Sequence, residues 1–349
     1  MSKSTEYLDI KTMVRKNILS MKPYSSARDE FKGEAEIYLD ANENPFPSPY
    51  NRYPDPLQRN VKERLASLKN VDPQQIFLGN GSDEAIDLLI RIFCEPHRDS
   101  VLITEPTYGM YSVCAEVNAV NIQSVLLSPE FDLDLDACAK TFDATTKMLF
   151  LCNPNNPTGN LLSRKKIEEV LKRFYGIVVI DEAYIDFASS KSFVDDLDQY
   201  SNLVVLQTFS KAWGLAGLRL GVAYASKEII SLMNKIKYPY NVNIRTQELV
   251  LDALENVYRK DICVDEIVRQ RNKLTEALQP IRIVEHVFRS DANFLLVRVK
   301  DATLAYQFLL NKNIIVRDRS KVSLCYNCLR ITVGTAEENE KLIQALKQL

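Results

Sequence analysis

The stretch "KMLFLCNPNNPTGNLLSRKKIEEVLKRFYGIVVIDEAY", Lys147 to Tyr184, holds two short apolar runs with an amphipathic segment between them. The runs "KMLFLCN" (147–153) and "GIVVID" (176–181) have the length of buried strands. Between them, "SRKKIEEVLKRFY" brings Ile167, Val170, Leu171 and Phe174 to one face behind Ser163, the pattern of a capped helix. Outward from this unit the same alternation continues from about residue 60 to 240. "VLIT" (101–104) and "LVVLQTF" (203–209) read as further strands. "SDEAIDLLIRIFC" repeats apolar residues at Ile86, Leu89, Ile90 and Phe93, which predicts a helix with Ser82 as its N-cap. Strands that are apolar on both faces and alternate with helices predict an α/β fold, a mostly parallel sheet covered by helices.

Beyond residue 245, helical material leads to strand candidates "FLLVRVK" (294–300), "IIVRD" (314–318) and "CLRITVG" (328–334), without strict alternation. That order predicts a smaller α+β domain. The first 40 residues carry no long periodic segment. The expected division is therefore an arm over 1–40, a large domain over 41–244 and a small domain over 245–349. The polar signals "NPNNPTG", "DEAY" and "TFSK" fall at strand ends, where the ligand crevice of an open α/β sheet lies.

Composition narrows the function. The chain has 349 residues, 46% hydrophobic and 26% charged, with net charge −2, and exerts no long-range pull on nucleic acid or membrane. Small molecules are the expected partners. Seven cysteines, odd in number and mostly in apolar stretches, suit a reducing compartment. Cys325 and Cys328 form a lone C-x-x-C without a second ligand pair close in sequence, so no metal site is expected. The opening residues show no basic segment followed by an apolar run, and no stretch of 18 apolar residues occurs, which makes the cytoplasm the expected location. With only His97 and His286 present, proton transfer falls to Lys, Asp, Glu or Tyr.

Lys211 stands out in that light. "TFSKAWGLAGLRLG" (208–221) places it between hydroxyl residues and a glycine-studded apolar run. Burial disfavours the charged lysine and lowers its pKa. At the reference value of ~10.4 only about one lysine in 2,500 is neutral at pH 7, so a nucleophilic lysine needs such surroundings. Lys211 is a candidate imine former, with a surface lysine at a strand end as the alternative.

Taken together, "NPNNPTG", "DEAY", "SKAWGLAGLRLG" and "LRITVG", in that order and spacing, resemble the fold-type I pyridoxal-phosphate aminotransferases over nearly the whole chain. "PYSSAR", "LDANENP", "RYPDP", "GNGSDEAIDLLIRIFCEP", "PTYGMYSV" and "DEAYIDF" are similar to the histidinol-phosphate aminotransferases among them. The resemblance implies pyridoxal 5′-phosphate as cofactor, bound covalently by Lys211, which also moves the α-proton. It implies that Asp181 holds the pyridine nitrogen protonated, that Tyr184 and Asn156 bond the 3′ oxygen, and that Tyr108 stacks on the ring. Arg219, Thr208, Ser210, Ser82 and Asp83 are implied to surround the phosphate, the carboxylates of Asp83 and Glu84 pointing away from it. Arg330 is implied to clamp the α-carboxylate of glutamate, while Tyr24, Asn42, Arg317 and Tyr240 match substrate-contacting positions. Arg317 and Arg330 read equally as solvated strand-end charges. Tyr53, by the same resemblance, reaches into the neighbouring subunit of a homodimer; the alternative is a tyrosine anchoring its own loop.

The implied reaction is transfer of the amino group of L-histidinol phosphate to 2-oxoglutarate, giving imidazole acetol phosphate and glutamate, a step of histidine biosynthesis. An aromatic or broad-specificity aminotransferase, or a phospho-amino-acid decarboxylase on the same scaffold, would share every cofactor residue. A non-catalytic ligand-binding regulator is the alternative from another class. A dinucleotide enzyme fits poorly, because "GNGSDE" lacks the third glycine of G-x-G-x-x-G.

Overall fold

The protein's structure, a computed structural model, describes residues 9–24 and 36–349. Seven strands form the main sheet: β1 (Ile76–Asn80), β2 (Ser100–Glu105), β3 (Asn121–Leu126), β4 (Thr146–Cys152), β5 (Ile177–Asp181), β6 (Leu203–Thr208) and β7 (Leu220–Ala225). Their spatial order is β1-β7-β6-β5-β4-β2-β3, parallel except for β7, which runs antiparallel to both its neighbours. The expected mostly parallel sheet is therefore present, with one reversed strand.

Alternate residues of each central strand feed two separate cores. Leu149, Leu151, Val178, Ile180 and Val205 face one apolar layer with Val61 and Leu65 of the helix Arg59–Lys69 and Ile167, Val170 and Leu171 of the helix Arg164–Arg173. Met148, Phe150, Ile177, Val179 and Val204 face the other, with Ile86, Leu89, Ile90 and Phe93 of the helix Gly81–Phe93. Burial on both faces is what makes these strands uninterrupted apolar runs. Ile10, Val14 and Ile18, from the segment expected to be an arm, pack into this second layer.

A second sheet, in the order β10-β11-β9-β8, comprises β8 (Val284–Val287), β9 (Phe294–Val299), β10 (Arg317–Asp318) and β11 (Cys328–Thr332), all paired antiparallel. It packs with the helices Val257–Leu278, Ala302–Asn311 and Ala336–Leu346 around its own core. The strand expected over 314–318 shrinks to two residues, because only Arg317 and Asp318 find partners, Arg330 and Leu329. The helix Ile244–Glu255 buries Val250 and Leu254 with Val61 and Leu65, in the core of the main sheet.

The start of the helix Gly81–Phe93 corrects one expectation. Its N-cap is Asn80, the last residue of β1, and Ser82 lies inside the first turn. Gly81, at φ +73°, turns the chain from strand to helix with no intervening loop.

Candidate active site

The carboxyl ends of the parallel strands converge on one cavity. β4 delivers Cys152 and, just beyond it, Asn156; β5 ends on Asp181 and leads to Tyr184; β6 ends on Thr208 and leads to Ser210 and Lys211. The helix Gly81–Phe93 adds its first turn, Gly81, Ser82 and Asp83, and Tyr108, Ala183, Ala216 and Arg219 complete the lining. Thus 125 residues of chain, from Asp83 to Thr208, separate groups that share a wall.

Lys211 is half-buried, its Nζ 5.7 Å from the centre of the Tyr184 ring. Burial lowers its pKa, helped by the positive charges of Arg330 and Arg219 and opposed by Asp181 and Asp83. Asp181 is buried at 3% exposure. Its Oδ2 accepts a 2.8 Å bond from the Tyr111 hydroxyl and its Oδ1 a 3.0 Å bond from the Ala183 N–H. Burial pushes this carboxyl up, and those two donors work against the shift.

The Asn156 side-chain amide donates to the Tyr184 hydroxyl at 3.4 Å, so two neutral polar groups sit together on one side of the cavity. Arg330, on β11 of the small sheet, donates from Nη1 to Asn156 Oδ1 at 2.5 Å and ties the two sheets together at the cavity. Burial lowers the Arg330 pKa, and the neighbouring Arg317 adds to this.

At the helix start, the backbone N–H groups of the first turn have no intrahelical acceptors, and the helix dipole is positive there. The Gly81 N–H is taken by the Arg219 carbonyl at 2.6 Å. A Cβ at Gly81 would meet Arg219 Nη2 at 2.8 Å, so the guanidinium lies across the space that the missing side chain leaves. Gly221 on β7 is needed for the same approach, since a Cβ there would overlap Ser82 N and Gly81 C. The Thr208 hydroxyl donates to the Leu220 carbonyl at 3.3 Å and accepts from the Ser210 N–H at 3.1 Å, folding the 208–210 turn beside Arg219.

A profile of the family "Aminotransferase class I and II" matches residues 36–346. A histidinol-phosphate aminotransferase of Cytophaga hutchinsonii is 57% identical over 340 residues, covering 96% of this chain and 98% of its own length. The chain belongs to the histidinol-phosphate aminotransferase family. Among solved structures, that of the histidinol-phosphate aminotransferase from Clostridium acetobutylicum superposes with a TM-score of 0.79 at 27% identity, covering 85% of this chain and 90% of its own. That of L-threonine-O-3-phosphate decarboxylase from Porphyromonas gingivalis gives 0.73 at 26% identity, with coverage of 85% and 90%.

Within this aminotransferase site, one expectation about the first turn is overturned. The Asp83 carboxylate does not point away. Its Oδ1 accepts from the Tyr108 hydroxyl at 3.2 Å and its Oδ2 lies 3.7 Å from Arg219 Nη2, because a guanidinium and a phenol draw the nearest anion. Glu84 does point away, accepting from the Asn80 N–H at 2.5 Å and from the Asn241 amide at 3.1 Å.

Not every expected residue of the aminotransferase site lines the cavity in the single chain. Tyr53 is half exposed and stacks on Tyr240 of the same chain, ring centres 4.5 Å apart at 17°. Tyr24 is exposed, and Asn42 adopts a left-handed backbone at φ 53°. Arg317 faces Arg330 across the β10–β11 pairing. The "PYSSAR" match lies partly outside the described residues. Two residues of the cavity wall are not legible in the sequence, Cys152, which lines the cavity, and Tyr111, which bonds Asp181 without lining it: each sits in a stretch whose apolar neighbours account for it fully as core.

Proposed function

We propose that the chain transfers the amino group of L-histidinol phosphate to 2-oxoglutarate, using pyridoxal 5′-phosphate. The observation that carries this reading is the convergence of a half-buried, charge-disfavoured Lys211 with the buried Asp181 in one cavity. The residues present fit the cofactor: a helix start and a guanidinium at the Gly81 turn for its phosphate, a buried carboxylate and two neutral polar groups in the same wall. When bound, the cofactor supplies a protonated pyridine ring that takes up the electron pair left on the substrate α-carbon.

Asp181 would hold the ring nitrogen and supply the negative charge that keeps a proton on it. Asn156 and Tyr184 face the phenolic oxygen with neutral donors. Tyr108, which lines the same cavity, would stack on the ring. Arg219, Ser210, Thr208 and the N–H groups of Ser82 and Asp83 receive the phosphate, displacing the Asp83 contact to Arg219. Lys211 Nζ, neutral more often than an ordinary lysine, would hold the cofactor and carry the proton from the substrate α-carbon to the cofactor's C4′. Arg330 receives the α-carboxylate of glutamate, and Arg317, Tyr24, Asn42 and Tyr240 receive the remainder of the substrates.

We assign the main sheet and its helices to the large domain expected over 41–244 and the second sheet to the small domain expected over 245–349, with the correction that the helix Ile244–Glu255 packs with the large one and with Arg330 the small-domain group that meets the cofactor wall. The protein works as a homodimer in which Tyr53 serves the neighbouring site, and its place is the cytoplasm. Among the described residues no helix is long and apolar enough to cross a membrane. The test is isotopic: with ¹⁵N-labelled L-histidinol phosphate and 2-oxoglutarate, the label appears in glutamate one for one. Release of carbon dioxide from phosphorylated amino acids without label transfer would favour the decarboxylase reading instead.

A further inference from the structure

Tyr111 is the second tyrosine of "PTYGMYSV", the third residue after Tyr108 and the second residue of the helix Met110–Val117. It is fully buried, at 0% exposure. Its ring stacks on Phe150 of β4, centres 4.8 Å apart at 11°, and meets the edge of Tyr108 at 5.5 Å and 86°. Nothing in that packing requires a hydroxyl, and a phenylalanine would fill the same space. The hydroxyl nevertheless has a specific use, a 2.8 Å bond to Asp181 Oδ2. A buried hydroxyl of this kind is costly unless bonded, so the pair is mutually dependent.

The direction of the bond is fixed. Burial and the adjacent Asp181 charge push the Tyr111 phenol far up, so it keeps its proton and acts only as donor. Asp181 then receives one bond on each oxygen, from Tyr111 on Oδ2 and from the Ala183 N–H on Oδ1. Two bonds on two oxygens fix the carboxylate plane. Asp181 lines the cavity while Tyr111 does not, so the phenol stands behind the carboxylate. The other groups that act on Asp181 are Asp83 from the helix Gly81–Phe93 and Lys211 beyond β6, with Cys152 of β4 beside the phenol.

We propose that Tyr111 is a positioning residue for the reaction: its hydroxyl locks the Asp181 carboxylate in one orientation from behind, so that its free acceptor positions face the cavity. The catalytic consequence rests on the aminotransferase reading given above, whereas the effect on Asp181 does not. Removing the hydroxyl leaves a buried carboxylate with one donor fewer, free to turn about its side-chain torsion and easier to protonate. A carboxylate that turns away or takes up a proton no longer holds the ring nitrogen of the cofactor charged.

The test begins without cofactor. In protein carrying ¹³Cγ-aspartate, the Asp181 signal is the one absent from Asp181→Asn. Tyr111→Phe keeps the ring stack and should melt close to wild type, yet raise the pH at which Asp181 titrates by roughly one to two units. In the loaded enzyme, Tyr111→Phe should slow the single-turnover reaction with the amino donor about tenfold or more, and add no further slowing in an Asp181→Asn background. An unchanged Asp181 titration overturns the proposal, as does an equal loss of rate in the Asp181→Asn background. A wild-type protein that fails to react with any amino donor sinks the aminotransferase reading, while the titration still decides the role of Tyr111. Should Tyr111→Phe not fold, the ¹³Cζ signal of Tyr111 in the otherwise wild-type protein decides: it must shift in Asp181→Asn if the bond exists, and a signal that stays in place overturns the proposal.

Discussion

At Lys211 the surroundings, more than the residue type, set the chemistry. Its pKa is lowered chiefly by burial and then by Arg330, so the neutral amine forms at lower pH than for an ordinary lysine. The rate of cofactor capture by the cofactor-free protein should therefore rise with pH to a plateau whose midpoint lies below the reference value of ~10.4. Arg330→Ala removes one of the charges that disfavour the ammonium form, so it should move that midpoint to higher pH; a midpoint that stays put would remove Arg330 from the electrostatics of Lys211. The same variant should damage the glutamate half-reaction more than the histidinol-phosphate half, since only glutamate has an α-carboxylate. Loss of a charge-assisted bond of ~1.5–3 kcal/mol gives about 10- to 150-fold. Equal losses in both half-reactions, followed by rapid mixing, would assign Arg330 to its bond with Asn156 alone.

Among the elements, the junction of β1, β7 and the helix Gly81–Phe93 is where the proposed phosphate site lies. β7 reverses the sheet direction and brings Gly221 against the backbone of Gly81 and Ser82, an approach that leaves no room for a Cβ. Gly221→Ala should cost about 1–3 kcal/mol in chemical denaturation and weaken cofactor retention, as overpacking forces the helix start away from Arg219. An alanine variant of wild-type stability and affinity would mean that this site tolerates displacement. The central strands β2, β4, β5 and β6 were readable from sequence because both faces are buried. β3 was not, since on this edge strand only Val125 is buried. β1 and β7 do not stand out in the sequence because glycines interrupt them, at Gly79 and Gly221. The cap of the 81–93 helix was misplaced by two residues for a related reason: a positive-φ glycine removes the spacer that a serine cap presupposes.

For the whole molecule, the groups contributed by strand ends are legible, while those proposed from the N-terminal segment and from a neighbouring subunit are not. Tyr24, Asn42 and Tyr53 lie in a stretch without period, where only the family resemblance assigns them. In the isolated chain Tyr53 stacks on Tyr240 and stays half exposed, a surface arrangement that a neighbouring subunit would complete. Mixing Lys211→Ala chains with Tyr53→Phe chains tests this, because each mixed dimer then holds one site with both residues intact. Under random exchange about a quarter of all sites should regain full function. Activity equal to the plain average of the two parents, with exchange confirmed by mass, would place Tyr53 in its own subunit's site. The central claim, that the fold gathers its distant strand ends around one reactive amine, has a more direct test. The protein is loaded with pyridoxal 5′-phosphate, reduced with borohydride, digested and mapped by mass spectrometry. The account predicts one cofactor per chain, on the peptide that carries Lys211, and none in Lys211→Ala; attachment at any other lysine, or undiminished attachment in the variant, would contradict it.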